Sequence, residues 1–181
     1  MGSGTSRHRL VALATAGALL CALIAAGAAS GGGSVQSAQT AIEIATVDQI
    51  NSVRAENGLE GLAFSPGLFA SALLHDQQMV GTGYFGHQGP DGSDFATRIE
   101  GTYPPGNSLY YAIGENLFWS QGGVSGALLV SRWMKSAEHR KNLLNPNWRQ
   151  VGVAVLTVPA APGIYRGRPV TVVTVDFGVR R

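Results

Sequence analysis

The chain has 181 residues, 45% of them apolar, with thirteen basic and eleven acidic side chains and a formal charge of +2. That is the length of one domain able to bury its own core, roughly 70% of the unfolded surface at about 150 residues. Arg7 and Arg9 belong to the first ten positions, which leaves eleven basic against eleven acidic residues in the remainder. This excludes a basic nucleic-acid footprint, and Cys21, the single cysteine, excludes a disulfide framework.

Residues 1–30 read as an export signal: Arg7, His8 and Arg9 form a charged start, Leu10–Ala26 carries no charge, and small residues follow through Ser30. The same run is near the lower length limit for a membrane span, so an uncleaved anchor is the alternative. The N-myristoylation pattern at Gly2 and Ser6 is set aside as a coincidence ahead of such a signal. Residues 31–40, rich in Gly, Ser and Gln, read as a flexible linker, and the domain is expected over residues 41–181.

A first helix is predicted over Ile42–Asn57 with Ile50 and Val53 inward, stopped by Gly58. Ser65-Pro66 opens a second helix by the N-cap and first-turn proline rule, with an apolar stripe through Leu68, Phe69, Ala72, Leu73, Met79 and Val80. His75 lies beside that stripe and is expected to be structural, hydrogen-bonded to backbone or water. Tyr84–Gly92 is rich in turn residues, and no periodicity explains His87. Asp94 caps a short helix through Ile99. Loop follows to Ser108, with Tyr103, Tyr110 and Tyr111 either rimming a groove or covering the core.

Glu115 falls between apolar residues in Ile113–Leu117, an uncommon position for a carboxylate without a partner. Leu128–Leu144 is predicted as one helix, its inner face Ala127, Val130, Met134 and Ala137 with Trp133 beside them. Pro146 stops it, which puts His139 at the helix end as either a cap or a site residue. Val151–Val158 and Val170–Val179 alternate as strands joined by a Pro-containing loop, an antiparallel pair. Helices and strands in separate runs indicate an α+β domain.

Five motifs in order carry a resemblance. They are Asn51–Arg54 with Gly58-Leu59, Tyr84–His87, Gly114–Leu117, Trp133–Ser136 with His139–Leu144, and Val151–Val153 with Asp176–Gly178. Together they resemble the CAP superfamily, which contains cysteine-rich secretory proteins, venom antigens and plant pathogenesis-related proteins, in its short bacterial form. The resemblance implies a three-layer α-β-α sandwich with an antiparallel sheet and a cleft lined by His87, Glu115 and His139. Where fuller members have a second glutamate, this chain has Ser136, which is expected as the fourth residue of the ligand-binding cleft. Asn51, Arg54, Asn116 and Asn142 belong to the motifs but read as structural.

His87, Glu115 and His139 are separated by about 25 residues each, so only the fold can unite them. Two neutral imidazoles, His87 and His139, suit Zn²⁺ or another divalent cation, with Glu115 as orienting group, third ligand or proton acceptor. No activated Ser or Cys nucleophile is visible, no catalytic residue beyond the candidate Glu115 is assigned, and no organic cofactor is expected. The reading is a secreted ligand-binding or interaction module for a lipid-like, cell-envelope or protein ligand, meeting membrane only through an uncleaved N-terminal segment. Its alternative is a metal-assisted extracellular hydrolase of peptide or cell-envelope substrate. A third possibility is that the trio is scaffold, a buried hydrogen-bond network.

Overall fold

The computed structural model describes residues 22–181, with side chains from Gly33 onward. The charged start of the expected export segment, most of its apolar run and Cys21 lie outside the described residues. In chain order the elements are α1 (Ala22–Glu56), β1 (Ala63–Phe64), α2 (Pro66–Thr82), α3 (Phe95–Thr102), β2 (Tyr111–Ser120), α4 (Gly126–Met134), α5 (Ala137–Leu143), β3 (Gln150–Ala161), a 3₁₀ turn at Gly163–Tyr165, and β4 (Arg168–Arg180). Met1–Val35 and Gln36–Arg181 form two units, and the domain described below is the second. Its helix α1 starts earlier than Ile42. Residues 36–40 are helical and Gln39 is buried. Among the described residues no helix is long and apolar enough to cross a membrane.

The sheet has the order β1-β3-β4-β2. β3 and β4 pair antiparallel over Gln150–Val158, as the alternation predicts, and β4 pairs antiparallel with β2. The expected antiparallel sheet is corrected at one edge: β1 joins β3 in parallel for two residues, giving a mixed sheet. β2 itself is a strand the alternation does not announce, because both of its faces are covered and the 2-residue period is lost. The α+β class and three layers hold. One face, with Val151, Val153, Val155, Val173, Val175 and Phe177, packs against Ile50 of α1, Leu129 and Trp133 of α4 and Leu143 of α5. The other faces α2 and α3, with Val170 and Val172 meeting Met79.

Local chemistry explains the helix ends. The Ser65 hydroxyl accepts the Leu68 N–H, Pro66 occupies the first turn, and Gly83 closes α2 at φ +76°. Asp94 caps α3 through the Ala96 N–H. Gly152 is required for packing, since a Cβ there would lie 2.1 Å from the Phe69 nitrogen of α2. Of the tyrosines, Tyr103 belongs to the core with Leu68 and Ile99, and its hydroxyl donates to Gln150 at 2.6 Å.

The single helix expected over Leu128–Leu144 is two. α4 ends at Met134 and α5 begins at Ala137, with Ser136 extended (φ −98°, ψ 126°) as N-cap. The inward face is accordingly Leu129, Val130 and Trp133, while Ala127 and Ala137 are exposed. His139 lies in the first half of a short helix, not at the end of a long one. The break lets α5 turn toward β2, a change of direction that one straight helix cannot make.

Candidate functional site

The site is built on β2, an edge strand whose outer carbonyls are met by side chains from α4 and α5. Trp133 Nε1 donates to the Leu117 carbonyl at 3.0 Å, and Asn142 Nδ2 donates to the Glu115 carbonyl and to Asn116 Oδ1, both at 2.9 Å. Asn116 Nδ2 in turn donates to the His139 carbonyl at 3.1 Å, and Trp148 Nε1 to the Asn142 carbonyl at 3.0 Å. These bonds satisfy groups that a bare edge would leave open. They also fix α5, and with it His139, against β2.

Glu115 and Asn116 project to opposite faces of the sheet, as successive strand residues must. Asn116 turns to α5, whereas Glu115 turns to α2, α3 and the loop carrying His87. His87 Nδ1 donates to Glu115 Oε1 at 2.7 Å, and Arg98 Nη2 of α3 donates to Glu115 Oε2. The Glu115 side chain is 1% exposed and that of Arg98 5%, while the His87 side chain is 52% exposed. This is a buried ion pair with an imidazole at its solvent end. Arg98 also donates to the Ser71 hydroxyl at 3.3 Å and to the His87 carbonyl at 3.5 Å, which holds the loop as well as the carboxylate.

The hydrogen bond to Glu115 raises the His87 pKa above its ordinary value, outweighing the opposing effect of burial. It also selects the tautomer. Neutral His87 keeps its proton on Nδ1 toward Glu115, so the Nε2 lone pair is the one offered outward. His139 is shifted the other way, by burial first and then by the like charge of His87. Ser136 occupies the N-cap of α5 and has no side-chain bond to the helix it caps.

His75 is wholly buried, and its Nε2 donates to the Gly86 carbonyl at 2.8 Å, the structural role expected for it. Arg54 and Asn51 are structural too: Arg54 donates to the carbonyls of Glu60, Leu143 and Asn145, and Asn51 exchanges two bonds with Leu62.

Sequence reasoning missed three charged residues. Arg98 has no local signature, because it is one arginine on a short polar helix. Asp76 and Asp176 are both wholly buried, and burial raises their pKa values well above the ordinary carboxylate range. Thr174 donates to Asp76 at 2.6 Å, and Asp176 lies across the strands from Glu115, with Arg98 Nη2 3.9 Å away. An aspartate at an inward position of the valine-rich strand Val170–Val179 was the available signal for Asp176.

Among the described residues no group of three or more His, Cys, Asp or Glu is arranged to hold a metal ion. Glu115 is an unsuitable direct ligand because both of its oxygens already have partners. His87 Nε2 and the His139 ring nitrogens remain as candidate donors, fewer than the three or four protein ligands of a usual Zn²⁺ site.

The three-layer α-β-α sandwich is the architecture of the CAP class. The model of the cysteine-rich secretory protein family (CAP) matches residues 47–177, and the chain belongs to this family, in its short bacterial form. It is 35% identical over 120 residues to the uncharacterized protein YkwD of Bacillus subtilis, a match covering 66% of this chain and 44% of that protein. The chain thus spans less than half the length of that relative. Among solved structures it is similar to an extracellular protein containing a SCP domain from Bacillus anthracis, with TM-score 0.58, 25% identity, and coverage of 79% of this chain and 43% of that one. It also shares its fold with an outer surface protein of Borrelia burgdorferi, with TM-score 0.58, 18% identity, and coverage of 75% and 90%.

Proposed function

We propose that this CAP domain is an extracellular ligand-binding or interaction module, and that its cleft presents His87 and His139 to a weakly held divalent cation such as Zn²⁺. The observation that carries the reading is the state of Glu115. Its oxygens accept from His87 and from Arg98, so both are already engaged. Neither oxygen is left free to reach a substrate proton, the geometric requirement a general base must meet first. In this reading Glu115 orients His87 through Nδ1, and Asn116 and Asn142 hold α5 so that His139 faces the same opening. A bound cation would supply Lewis acidity to a ligand oxygen; the chain's own contribution is orientation. The ligand class is lipid-like, cell-envelope or protein, and the extracellular setting agrees with the N-terminal export segment and with the description of the Bacillus anthracis protein.

The competing reading, a metal-assisted hydrolase, is favoured by one feature, the 2.7 Å His87–Glu115 bond, which has the geometry of a base with its orienting acid. Calorimetric Zn²⁺ titration of the chelator-stripped chain separates these outcomes. Saturable one-site binding, lost in both His87→Ala and His139→Ala, is expected. Turnover of a peptide or envelope substrate that vanishes in His87→Ala would favour the hydrolase. Absence of binding would leave the trio as scaffold.

A further inference from the structure

His87 and His139 both contact β2 at one edge of the sheet, and the opposite edge has a cavity. β1 covers β3 for only two residues, and beyond them the outer edge of β3 is met by α1. There Glu43 Oε1 accepts the Val155 N–H at 3.0 Å. Beside this contact opens a cavity of about 480 Å³, walled by Val47, Val153 and the Phe64–Phe69 pair, with Glu43 and Asp48 as its ionisable groups. No Lys, Arg or His is among its lining residues, and none of them belongs to the cleft.

Three properties narrow what such a cavity takes. Its volume is within the range of small-molecule sites, roughly 300–1,000 Å³. Its aromatic wall is unusually open: the Phe64 and Phe69 rings lie 6.0 Å apart at 49°, and Phe64 is 56% exposed. Aromatic faces beside a carboxylate attract cations through both the ring quadrupole and the formal charge. The electrostatics agree, because burial pushes the Glu43 pKa up with only the Val155 amide opposing it, so a cation at that carboxylate restores what desolvation removes. An anion meets Glu43 and Asp48 with no compensating base.

We propose that this cavity is a binding site for a small organic cation, an ammonium bearing one aromatic or short alkyl group, its charged head at Glu43 and its apolar part against Phe64 and Phe69. The site is independent of the histidine cleft and of any metal there.

The test compares three probes of one shape on the full chain, 4-phenylbutylammonium, 4-phenylbutanol and 4-phenylbutyrate, by equilibrium dialysis and by the shift of the Val155 amide resonance. Saturable binding of the ammonium is expected, at least tenfold tighter than the alcohol, with no saturation by the carboxylate and with movement of the Val155 resonance. Glu43→Gln, whose side-chain oxygen can still accept the Val155 N–H, should erase the preference for the ammonium over the alcohol. Phe64→Ala, at an exposed position, should weaken the ammonium at least tenfold, and His87→Ala should leave it unchanged. Equal binding of all three probes, no binding, or an ammonium preference that survives Glu43→Gln would overturn the proposal. So would saturation that leaves the Val155 resonance unmoved, since the probe would then sit elsewhere.

Discussion

At the scale of single residues, the site is governed by a charge that belongs to none of its recognisable motifs. Arg98 and Glu115 form a buried pair, with side chains 5% and 1% exposed. Removing one partner from such a pair leaves the other charge buried and uncompensated, at a cost of about 3–5 kcal/mol. Arg98→Met is therefore expected to lose about that much stability in urea denaturation. His87→Ala should lose much less, since its ring is half exposed and Arg98 still covers the carboxylate.

Asp76 permits a prediction with a definite sign. Its folded-state pKa is raised well above the ordinary value of 3.8, by burial first. Below about pH 4 it is protonated in both the folded and unfolded chain and its contribution to stability is complete. As the pH rises through the folded-state value that contribution is lost, with a slope of at most about 1.4 kcal/mol per pH unit for one proton. Asp76→Asn removes the titration and keeps an acceptor for Thr174. The stability of the variant relative to the parent should therefore increase with pH above about 4, measured by denaturation at a series of pH values. A difference that stays flat with pH would mean that Asp76 remains ionised in the fold.

At the scale of elements, the break between α4 and α5 decides the geometry of the cleft. A continuous helix over Leu128–Leu144 would satisfy the apolar periodicity, but the seven-residue α5 is held by side-chain bonds to β2 instead of by its own length. Asn142 is the centre of that attachment, donating to the Glu115 carbonyl and to Asn116 while its carbonyl accepts from Trp148. Asn142→Ala leaves a buried edge carbonyl unpaired, which costs about 1–3 kcal/mol. The same variant should release His139 from its setting, seen as a return of its NMR-monitored pKa toward the ordinary histidine value from the lowered one. Stability loss without any change in the His139 titration would mean that α5 keeps its place by packing alone, through Leu143. The Ser136 cap and Glu138 in the first turn of α5 were a readable start signal inside a longer apolar stripe; the stripe masked them, because both helices turn apolar residues to one layer.

At the scale of the whole molecule, two opposite sheet edges carry two unlike surfaces, and the body between them is the unit Gln36–Arg181. Its start precedes the sequence expectation near Ala41 by one helical turn and a little more. The residues concerned are placed to matter: Gln39 is buried, and Gln36 and Thr40 line the α1 cavity. A chain beginning at Gln36 is expected to keep the cooperative unfolding transition and midpoint of the full chain. One beginning at Ala41 should unfold at lower denaturant, by about 1 kcal/mol for the loss of buried Gln39 and its helical turn. Equal midpoints for the two truncations would return the boundary to Ala41.

The sequence by itself determined the features that depend on neighbours along the chain. The Ser65-Pro66 start of α2, the Gly58 stop, the Asp94 cap and the β3–β4 pair follow from local chemistry and short periods, and ordered motifs were enough for the family and its sandwich. Those motifs also carried His87, Glu115 and His139 as a set, although no period in the chain relates them. Only the tertiary structure decided that Arg98 neutralises Glu115, that Asp76 and Asp176 are buried in a second acidic layer behind it, and that the predicted long helix breaks at Ser136. Each of these is a contact between residues distant in the chain, set by the layer that a side chain enters. A burial pattern shared by both faces of a strand, or by two successive helices, leaves no trace in the period of the sequence.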